Sequence, residues 1–554
     1  MNATQTPPQP THEVTNQPPP LAGYNAYASD TALCDAVRRE GCDWGEERLQ
    51  AFGAIAGGEL LELGFAANEN PPVARLFDRY GHRIDEVEFH PAWHRAMAIA
   101  KEHGLHGLTW TQDQPGAQVL RSALIYMHNQ VEAGTMCPIT MTHACVPALR
   151  HQPDVAQHWL PGILADVYDP RCIPAAEKNG LTVGMGMTEK QGGSDVRANT
   201  TRAQPIATAG PGQTYELVGH KWFFSAPMCD AFLVLAQVDE GLSCFLLPKW
   251  RPEGARNAIH IQRLKDKLGD RSNASSEVEF VGAFGWMVGA PGRGVPTIMD
   301  MVAQTRLDCM LGSAGLMRQA AAQVIHHCSH RMAFGKVVAE QPLMTQVLAD
   351  LALESEAALA LALRLARAFE AAARGDEGEA AFARLVTPVG KYWVCKRTPA
   401  QVNEAQECLG GNGFVEEFIL PRLYRQAPLN SIWEGSGNIQ CLDVLRAMAR
   451  APECVDAVRT ELHAARGNNR DYDTHLQAVD RALTADSHEQ ADARRLVEDL
   501  ALALQASILI RAGCAPVADA FCAGRLGPDS RYLGFGTLPA GTDCDAIVAR
   551  ARPD

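Results

Sequence analysis

From about residue 31 to 180 apolar positions recur at three- and four-residue spacing. DTALCDAVRREG, HPAWHRAMAIAKEHG and VLRSALIYMHNQVEAG are examples, and that period predicts amphipathic helices. The pattern then changes. Between about 181 and 290 the chain breaks into short alternating or β-rich runs, Tyr215–Phe224, Phe232–Val238, Ser243–Pro248, Ile259–Arg263 and Glu277–Phe280, punctuated by Gly and Asn/Asp turns. No long helical pattern intervenes, so an antiparallel β-domain is expected rather than βαβ units. Helical periodicity returns from about 291 to 450, where LALESEAALALALRLARAFEAAARG and FARLVTPVGKYWVCKRTPAQVNEAQECLGG read as bundle helices. Residues 1–30, rich in Pro, Gln and Thr, read as a tail or an extended arm laid on the surface. Residues 451–554 form a further C-terminal helical module ending in a Gly/Pro/Asp-rich stretch from about Gly524. The expectation is a mainly α protein with a central antiparallel β-domain, in the order helices (31–180), sheet (181–290), helices (291–450), extra module (451–554).

Composition narrows the class. A chain of 554 residues is too long for one hydrophobic core. With 46% hydrophobic and 21% charged residues it is neither disordered nor fibrous. The formal net charge is −14, so any contact with nucleic acid or anionic lipid needs a local patch. Only 10 of the 50 basic residues are Lys, and the dominant guanidinium groups suit fixed phosphate and carboxylate contacts. The 16 Cys include no CxxC pair or zinc spacing and read as reduced thiols of a cytoplasmic protein; no metal site is expected. The N-terminus lacks a signal pattern, and the longest apolar stretches, such as Leu500–Ile510, are too short to span a membrane.

Five segments stand out chemically. Gly184-Met185-Gly-Met187-Thr188-Glu-Lys-Gln-Gly-Gly193-Ser194-Asp is glycine-rich, but strands rather than a βαβ unit follow it, which argues against a dinucleotide fingerprint. It reads as a loop baring backbone N–H groups beside hydroxyls, suited to a flavin's polar edge or an anion. Gly219-His-Lys-Trp-Phe223-Phe224-Ser225 sets aromatics beside a hydroxyl, which suits the wall of a planar ring and equally an aromatic strand core. Arg331-Met-Ala-Phe334-Gly, with Gln341 further on, offers a guanidinium for a pyrophosphate or simply ends a helix. Gly410-Gly411-Asn-Gly either stops a helix or lets backbone approach a ligand. Ile432-Trp433-Glu434-Gly435-Ser436-Gly-Asn438 places a carboxylate before a helical run, where a solvated or dipole-complementing role is the commoner one.

Together, in this order, these segments resemble the acyl-CoA dehydrogenase superfamily of flavoproteins. GMGMTEKQGGSDV, VGHKWFFS, RLKDKLGDRSNAS, SIWEGSGNI, NQPPPL and FHPAWH bring the chain closer still to the AidB-like branch, associated with the adaptive response to alkylation. The resemblance implies FAD between sheet and bundle, an acyl-CoA-like substrate and a homotetramer. It places Met185, Met187, Thr188, Gly193 and Ser194 in the loop flanking the flavin, and Phe223, Phe224 and Ser225 over the ring, with Ser225 near N5. Arg331, Phe334 and Gln341 would reach the FAD of a neighbouring subunit, Gly410 and Gly411 its pyrophosphate, and Ile432, Trp433, Gly435, Ser436 and Asn438 would close the pocket. Glu434 matches the catalytic base, which must be close, desolvated and raised in pKa to remove the α-proton of a thioester. Some members carry the base on another helix; the matching position here is Thr305, which cannot serve. Phe223 stands where Trp is usual, Trp433 where Tyr is usual, and Ser436 where Thr is usual. The larger Trp433 would narrow the substrate channel and disfavour a long acyl chain.

The implied reaction is FAD-dependent α,β-dehydrogenation of a short or branched acyl-CoA, with an unidentified electron acceptor. The alternative implied by the same branch is a flavoprotein with little turnover that protects double-stranded DNA, bound through 451–554. That region holds 11 Arg and no Lys against 16 Asp and Glu. Arg459, His463, Arg466 and Arg470 share one helical spacing, with acidic neighbours beside them.

Overall fold

A computed structural model describes residues 11–485, 487–531 and 534–553; the first ten residues of the expected tail lie outside them. Helices α1 (Thr31–Arg39), α2 (Glu46–Ala56), α3 (Glu59–Glu69), α4 (Pro91–Glu102), α5 (Leu108–Thr111), α6 (Ala117–Val131), α7 (Met136–Arg150) and α8 (Pro153–Leu164) build the first block. Within it a hairpin of β1 (Val73–Phe77) and β2 (Arg83–Glu88) breaks the expected run of helices. The local sequence VARLFDRYGHRIDEVE alternates apolar and polar residues around a Tyr-Gly turn, a period-2 signal that the flanking helical pattern obscures.

The middle block is one seven-stranded sheet, β3 (Val183–Gly186), β4 (Arg202–Pro205), β5 (Thr214–Ser225), β6 (Ala231–Val238), β7 (Gly241–Pro248), β8 (Ile259–Leu264) and β9 (Ser275–Val288). Its order is β3-β5-β4-β6-β7-β9-β8. Most pairs are antiparallel, as expected, but β3 and β4 each also pair with β6 in parallel. The expected short strand Glu277–Phe280 lies near the start of a 14-residue strand, Ser275–Val288. Alternation along β5 turns Tyr215, Leu217, Lys221 and Phe224 inward, and Phe224 meets Phe232 at 4.4 Å and Phe280 at 6.0 Å between ring centroids.

The bundle consists of α9 (Gly294–His330), α10 (Pro342–Ala373), α11 (Glu377–Cys408), α12 (Ile419–Gln426) and α13 (Gly437–Arg450). Helix α9, 37 residues long, is its axis and packs against α6, α7, α10 and α11. Because it is surrounded, α9 is buried around most of its circumference rather than along one stripe, and its buried polar residues include Thr305, Arg306 and Asp308. Residues 11–30 are an arm rather than a free tail. Tyr27 is fully buried, Tyr24 donates to Gln319 at 2.9 Å, and Pro19 carbonyl oxygen faces His326 at 2.9 Å.

Helices α14 (Pro452–His463), α15 (Arg470–Leu483), α16 (Ala493–Ala512), α17 (Ala515–Phe521) and α18 (Cys544–Ala551) cover the outer face of α10 and α11. Their apolar residues continue the bundle core, and buried ion pairs join them to it. Arg364 bridges Glu461 at 2.9 Å and Glu379 at 2.8 Å, Arg550 bridges Glu356 at 3.0 Å, and Arg525 holds Glu354 at 3.0 Å and Asp350. All 16 Cys are free thiols, 13 of them buried. Among the described residues no helix is long and apolar enough to cross a membrane.

Candidate active site

Glu434 sits in the connection between α12 and α13 with φ +56°, a left-handed backbone uncommon for a residue with a side chain. The surrounding carbonyls are held from three directions. Lys391 Nζ on α11 donates to Trp433 O at 2.7 Å and Gly435 O at 2.6 Å. Gln440 Nε2 donates to Glu434 O at 3.0 Å and Gly435 O at 2.8 Å. Arg306 Nε on α9 donates to Glu434 O at 3.2 Å, and Asp443 anchors Arg306 at 2.7 Å. Such strain persists where the surroundings over-determine it. Gly435 is required beside it: its φ is +94°, and a Cβ would stand 2.6 Å from Gln440 Nε2.

The Glu434 carboxylate Oε2 accepts a hydrogen bond from Thr305 Oγ1 at 2.7 Å. Burial pushes the Glu434 pKa above the ordinary carboxylate range, and the Thr305 hydrogen bond and the charges of Lys391 and Arg306 offset this only in part. The carboxyl lines a cavity of about 60 Å³ between α6, α7, α9 and the sheet. Met185 and Ser225, paired across β3 and β5, form the sheet-side wall. Trp433 forms another, its ring fixed by Nε1 donating to Asn430 Oδ1 at 2.9 Å. Asp308, one turn along α9 from Thr305, also lines the cavity. Although burial alone would raise its pKa, Arg121 at 2.7–2.8 Å and Thr140 at 2.7 Å keep it below the usual value.

The remaining expected residues fall into groups. Thr188 and Gly193 close one turn, in which a Cβ on Gly193 would stand 2.4 Å from Thr188 Oγ1; Ser194 is exposed and Met187 packs on the sheet core. This turn is tied to β5 by a fully buried ion pair, Glu189 to Lys221 at 2.8 Å. Phe223 is half exposed, with Lys265 Nζ 4.6 Å from its ring centroid. Phe224 departs from expectation: its ring turns into the sheet core against Phe232, and its carbonyl accepts from Ser276 Oγ at 3.0 Å within the sheet. Arg331 and Phe334 lie at the hairpin after α9 and Gln341 directly before α10, and none of them lines the Glu434 cavity. Arg331 donates to Asn16 O, Gln341 to Ala333 O at 2.9 Å, and Phe334 is 99% exposed. Gly410 and Gly411 have open space where Cβ atoms would be. Ile432 is exposed, Ser436 precedes α13, and Asn438 Oδ1 accepts from Arg494 Nε of α16 at 2.9 Å.

Sequence reasoning missed Lys391, Arg121, Asp308, Thr140 and the Glu189–Lys221 pair. Glu189 and Lys221 sit inside two segments singled out as chemical, yet 32 residues separate them and only the sheet register brings them together. In the C-terminal module, Asp480 takes both Arg459, at 3.3 Å, and His463, at 2.9 Å, while Arg466 and Arg470 are exposed.

The fold and this cavity define the class, and sequence comparison agrees: the chain belongs to the acyl-CoA dehydrogenase family of FAD-dependent oxidoreductases. Residues 184–283 match its middle domain, residues 292–449 its C-terminal domain, and residues 16–170 the N-terminal domain of the adaptive response protein AidB. Among individual relatives, the putative acyl-CoA dehydrogenase AidB of Escherichia coli is 47% identical over 92% of this chain and 94% of its own. Acyl-CoA dehydrogenase family member 11 of Caenorhabditis elegans is 30% identical over 83% of this chain and 77% of its own. The crystal structure of Caenorhabditis elegans ACDH-11 in complex with C11-CoA superposes with a TM-score of 0.84 at 26% identity, covering 99% of both chains.

Proposed function

We propose that this protein carries out α,β-dehydrogenation of a short or branched acyl-CoA, with Glu434 as the base and FAD as cofactor. The observation that carries the reading is the Glu434 carboxyl sharing one small cavity with Met185 and Ser225. The residues present fit a flavin. Ser225 supplies a hydroxyl on the sheet side, Phe223 leaves an aromatic face open, the Thr188–Gly193 turn has no room for a side chain on Gly193, and Gly410–Gly411 leave backbone beside open space. When bound, FAD supplies the acceptor for the substrate's β-hydride. Within the chain, Glu434 takes the α-proton, and partial desolvation lifts its basicity towards that task. Thr305 aims the carboxylate, and Lys391, Gln440 and Arg306 hold the strained backbone behind it.

The size of the cavity supports a small acyl group. The cavity measures about 60 Å³, and the Trp433 ring on its wall is held by a hydrogen bond to Asn430. Assembly with further copies, as a homotetramer, is part of the same reading: Phe334 projects from its hairpin with no cover from its own chain. The duplex-binding alternative receives less support, since Asp480 neutralises Arg459 and His463 within the chain.

The test is anaerobic mixing with butyryl-CoA or isovaleryl-CoA. The flavin absorbance bleaches if the reading is right, and its persistence with both substrates refutes the assignment. The pH dependence follows from the same geometry. The base acts ionised, so the reduction rate falls as pH drops through the raised pKa of Glu434. Thr305→Val removes a hydrogen bond that favours the carboxylate. It is expected to move this limb upward by about one pH unit, measured by stopped-flow reduction across pH; an unmoved profile would show that Thr305 does not tune the base.

A further inference from the structure

The Glu434 cavity is not the apolar slot that a saturated acyl chain calls for. Beyond Glu434 and Thr305 its lining includes Asn129 of α6, Thr140 of α7, Asp308 of α9, Gln426 of α12 and Asn430. Polar side chains in such a pocket fix the orientation and identity of what enters it. Given the dehydrogenation reading, on which this inference rests, none of these five takes part in the proton transfer. They fall to the rest of the acyl group.

Existing hydrogen bonds fix which way the amides point. Asn129 Nδ2 donates to Ile125 O at 2.9 Å, which turns Oδ1 away from its own helix. Gln426 Oε1 accepts from Asp270 N at 2.6 Å, which leaves Nε2 as the free end. Asn430 Oδ1 accepts from Trp433 Nε1 and its Nδ2 donates to Ser313 Oγ at 3.1 Å, so one N–H of that amide is still unused. Asn129 and Gln426 are each 7% exposed; Asn129 Oδ1 and Gln426 Nε2 have no partner among the described residues, yet neither atom is fully enclosed. The face of α9 brings the amides to the cavity. Thr305, Asp308, Gly312 and Leu316 follow at three- and four-residue spacing and share one side of the helix, and Thr305, Asp308 and Leu316 line the cavity. Gly312 is the gap in that face: a Cβ there would stand 3.0 Å from Asn129 Oδ1 and 3.3 Å from Asn430 Nδ2. Asn129 and Asn430 therefore meet α9 one to two turns beyond Thr305, about 4.5–10 Å along the helix axis.

These groups decide what kind of tail fits. Asp308 is already neutralised by Arg121, whose three nitrogens are engaged by its carboxylate and by Leu105 O. A charged tail of either sign would be buried here without a counterion. An alkyl tail would strip water from Asn129 Oδ1 and Gln426 Nε2 and give nothing back. A hydroxyl satisfies both kinds of group: it donates to Asn129 Oδ1 and accepts from Gln426 Nε2 or the spare Asn430 N–H. We propose that the acyl group selected by this site is short and carries a terminal hydroxyl, held by Asn129, Gln426 and Asn430 at the end of the cavity away from Glu434. The reaction is unchanged. The α-proton goes to Glu434, the β-hydride to the bound flavin, and the hydroxyl stays on the enoyl-CoA product.

The experiment uses the full-length flavoprotein carrying Glu434→Gln, in which turnover is slowed, and calorimetry. The probes are 4-hydroxybutyryl-CoA with its carbon isostere pentanoyl-CoA, 5-hydroxypentanoyl-CoA with its isostere hexanoyl-CoA, and glutaryl-CoA as a charged control. Within each pair only a methyl replaces the hydroxyl, so size is held constant. At least one hydroxylated thioester is expected to bind about tenfold or more tightly than its isostere. Adding Asn129→Leu should bring that ratio close to one, and Gln426→Leu tests the donor side and stands in if the first change melts the protein early. The inference is overturned if both isosteres bind as tightly as their hydroxylated partners, if glutaryl-CoA binds more tightly than either hydroxylated thioester, or if both added substitutions leave the ratio as it was. Anaerobic mixing with the unsubstituted flavoprotein separates the two readings. Bleaching by butyryl-CoA together with a ratio near one sinks this inference alone. A flavin that neither butyryl-CoA nor the hydroxylated thioesters bleach sinks the dehydrogenation reading whatever the ratio.

Discussion

Glu434→Gln is expected to slow anaerobic flavin reduction by butyryl-CoA or isovaleryl-CoA by a factor of about a thousand, while the flavin stays bound. The amide keeps the shape of the carboxyl and its contact with Thr305, so packing is preserved and only the proton acceptor is lost. General-base catalysis by one positioned group contributes roughly 10²–10⁴-fold, and no other carboxylate replaces it. Asp308, the nearest candidate in the cavity, is committed to Arg121 and Thr140, and the resulting low pKa makes it a poor base. Thr305, in contact with the Glu434 carboxylate, has no group that ionises. Stopped-flow absorbance of the oxidised flavin is the direct readout. A variant that reduces as fast as the parent would remove Glu434 from the chemistry. One that loses its flavin altogether would place Glu434 in cofactor retention instead.

The parts of this site that were legible in the sequence are local ones. Trp433-Glu434-Gly435 is contiguous, and the Thr188–Gly193 turn lies within a single segment, so a motif carries them. The support for Glu434 was not legible, because it arrives from α9 and α11, some 130 and 40 residues away in the chain. Strand alternation settled another point that composition left open. Phe223 and Phe224 are equivalent aromatics in the sequence, yet β5 sends one outward and the other into the core. The blocks of helix and strand were readable because each has its own period over tens of residues. The β1–β2 hairpin, two short strands between helices, fell below that signal. The role of the C-terminal Arg residues was the least readable. Of the four residues that share the helical spacing, Arg459 and His463 find Asp480 of the same chain in three dimensions, while Arg466 and Arg470 stay exposed.

Arg525→Ala is expected to unfasten the C-terminal helices from the bundle at a cost of about 3–5 kcal/mol. Arg525 is 1% exposed and faces Asp350 and Glu354 on α10, which are 1% and 4% exposed, while Arg397 of α11 holds Glu354 from the other side at 3.0 Å. Removing the guanidinium leaves Asp350 without its cation, in a place where water cannot reach it. Burial would raise the Glu354 pKa, but Arg397 and Arg525 hold it down to about 2. The stability it contributes is therefore complete above the ordinary glutamate pKa and is lost as pH falls from there towards 2. Hydrogen exchange should show protection lost first in α16 to α18, with the sheet unaffected, and melting of the C-terminal helices should begin roughly 10 °C lower. Arg525→Met combined with Asp350→Leu and Glu354→Met separates charge from packing. If the single change is costly because it strands buried carboxylates, the triple change recovers most of the loss. If both are equally unstable, it is the bulk of the Arg525 side chain that matters. The same contacts bear on any attempt to delete residues 451–554. Such a truncation would strip apolar cover from α10 and α11, leave Asp350 without its cation and take one of two partners from each of Glu354 and Arg364, so its loss of function would report a damaged bundle. Charge reversal at exposed Arg466 and Arg470, with Arg525 intact, tests duplex affinity without that confusion.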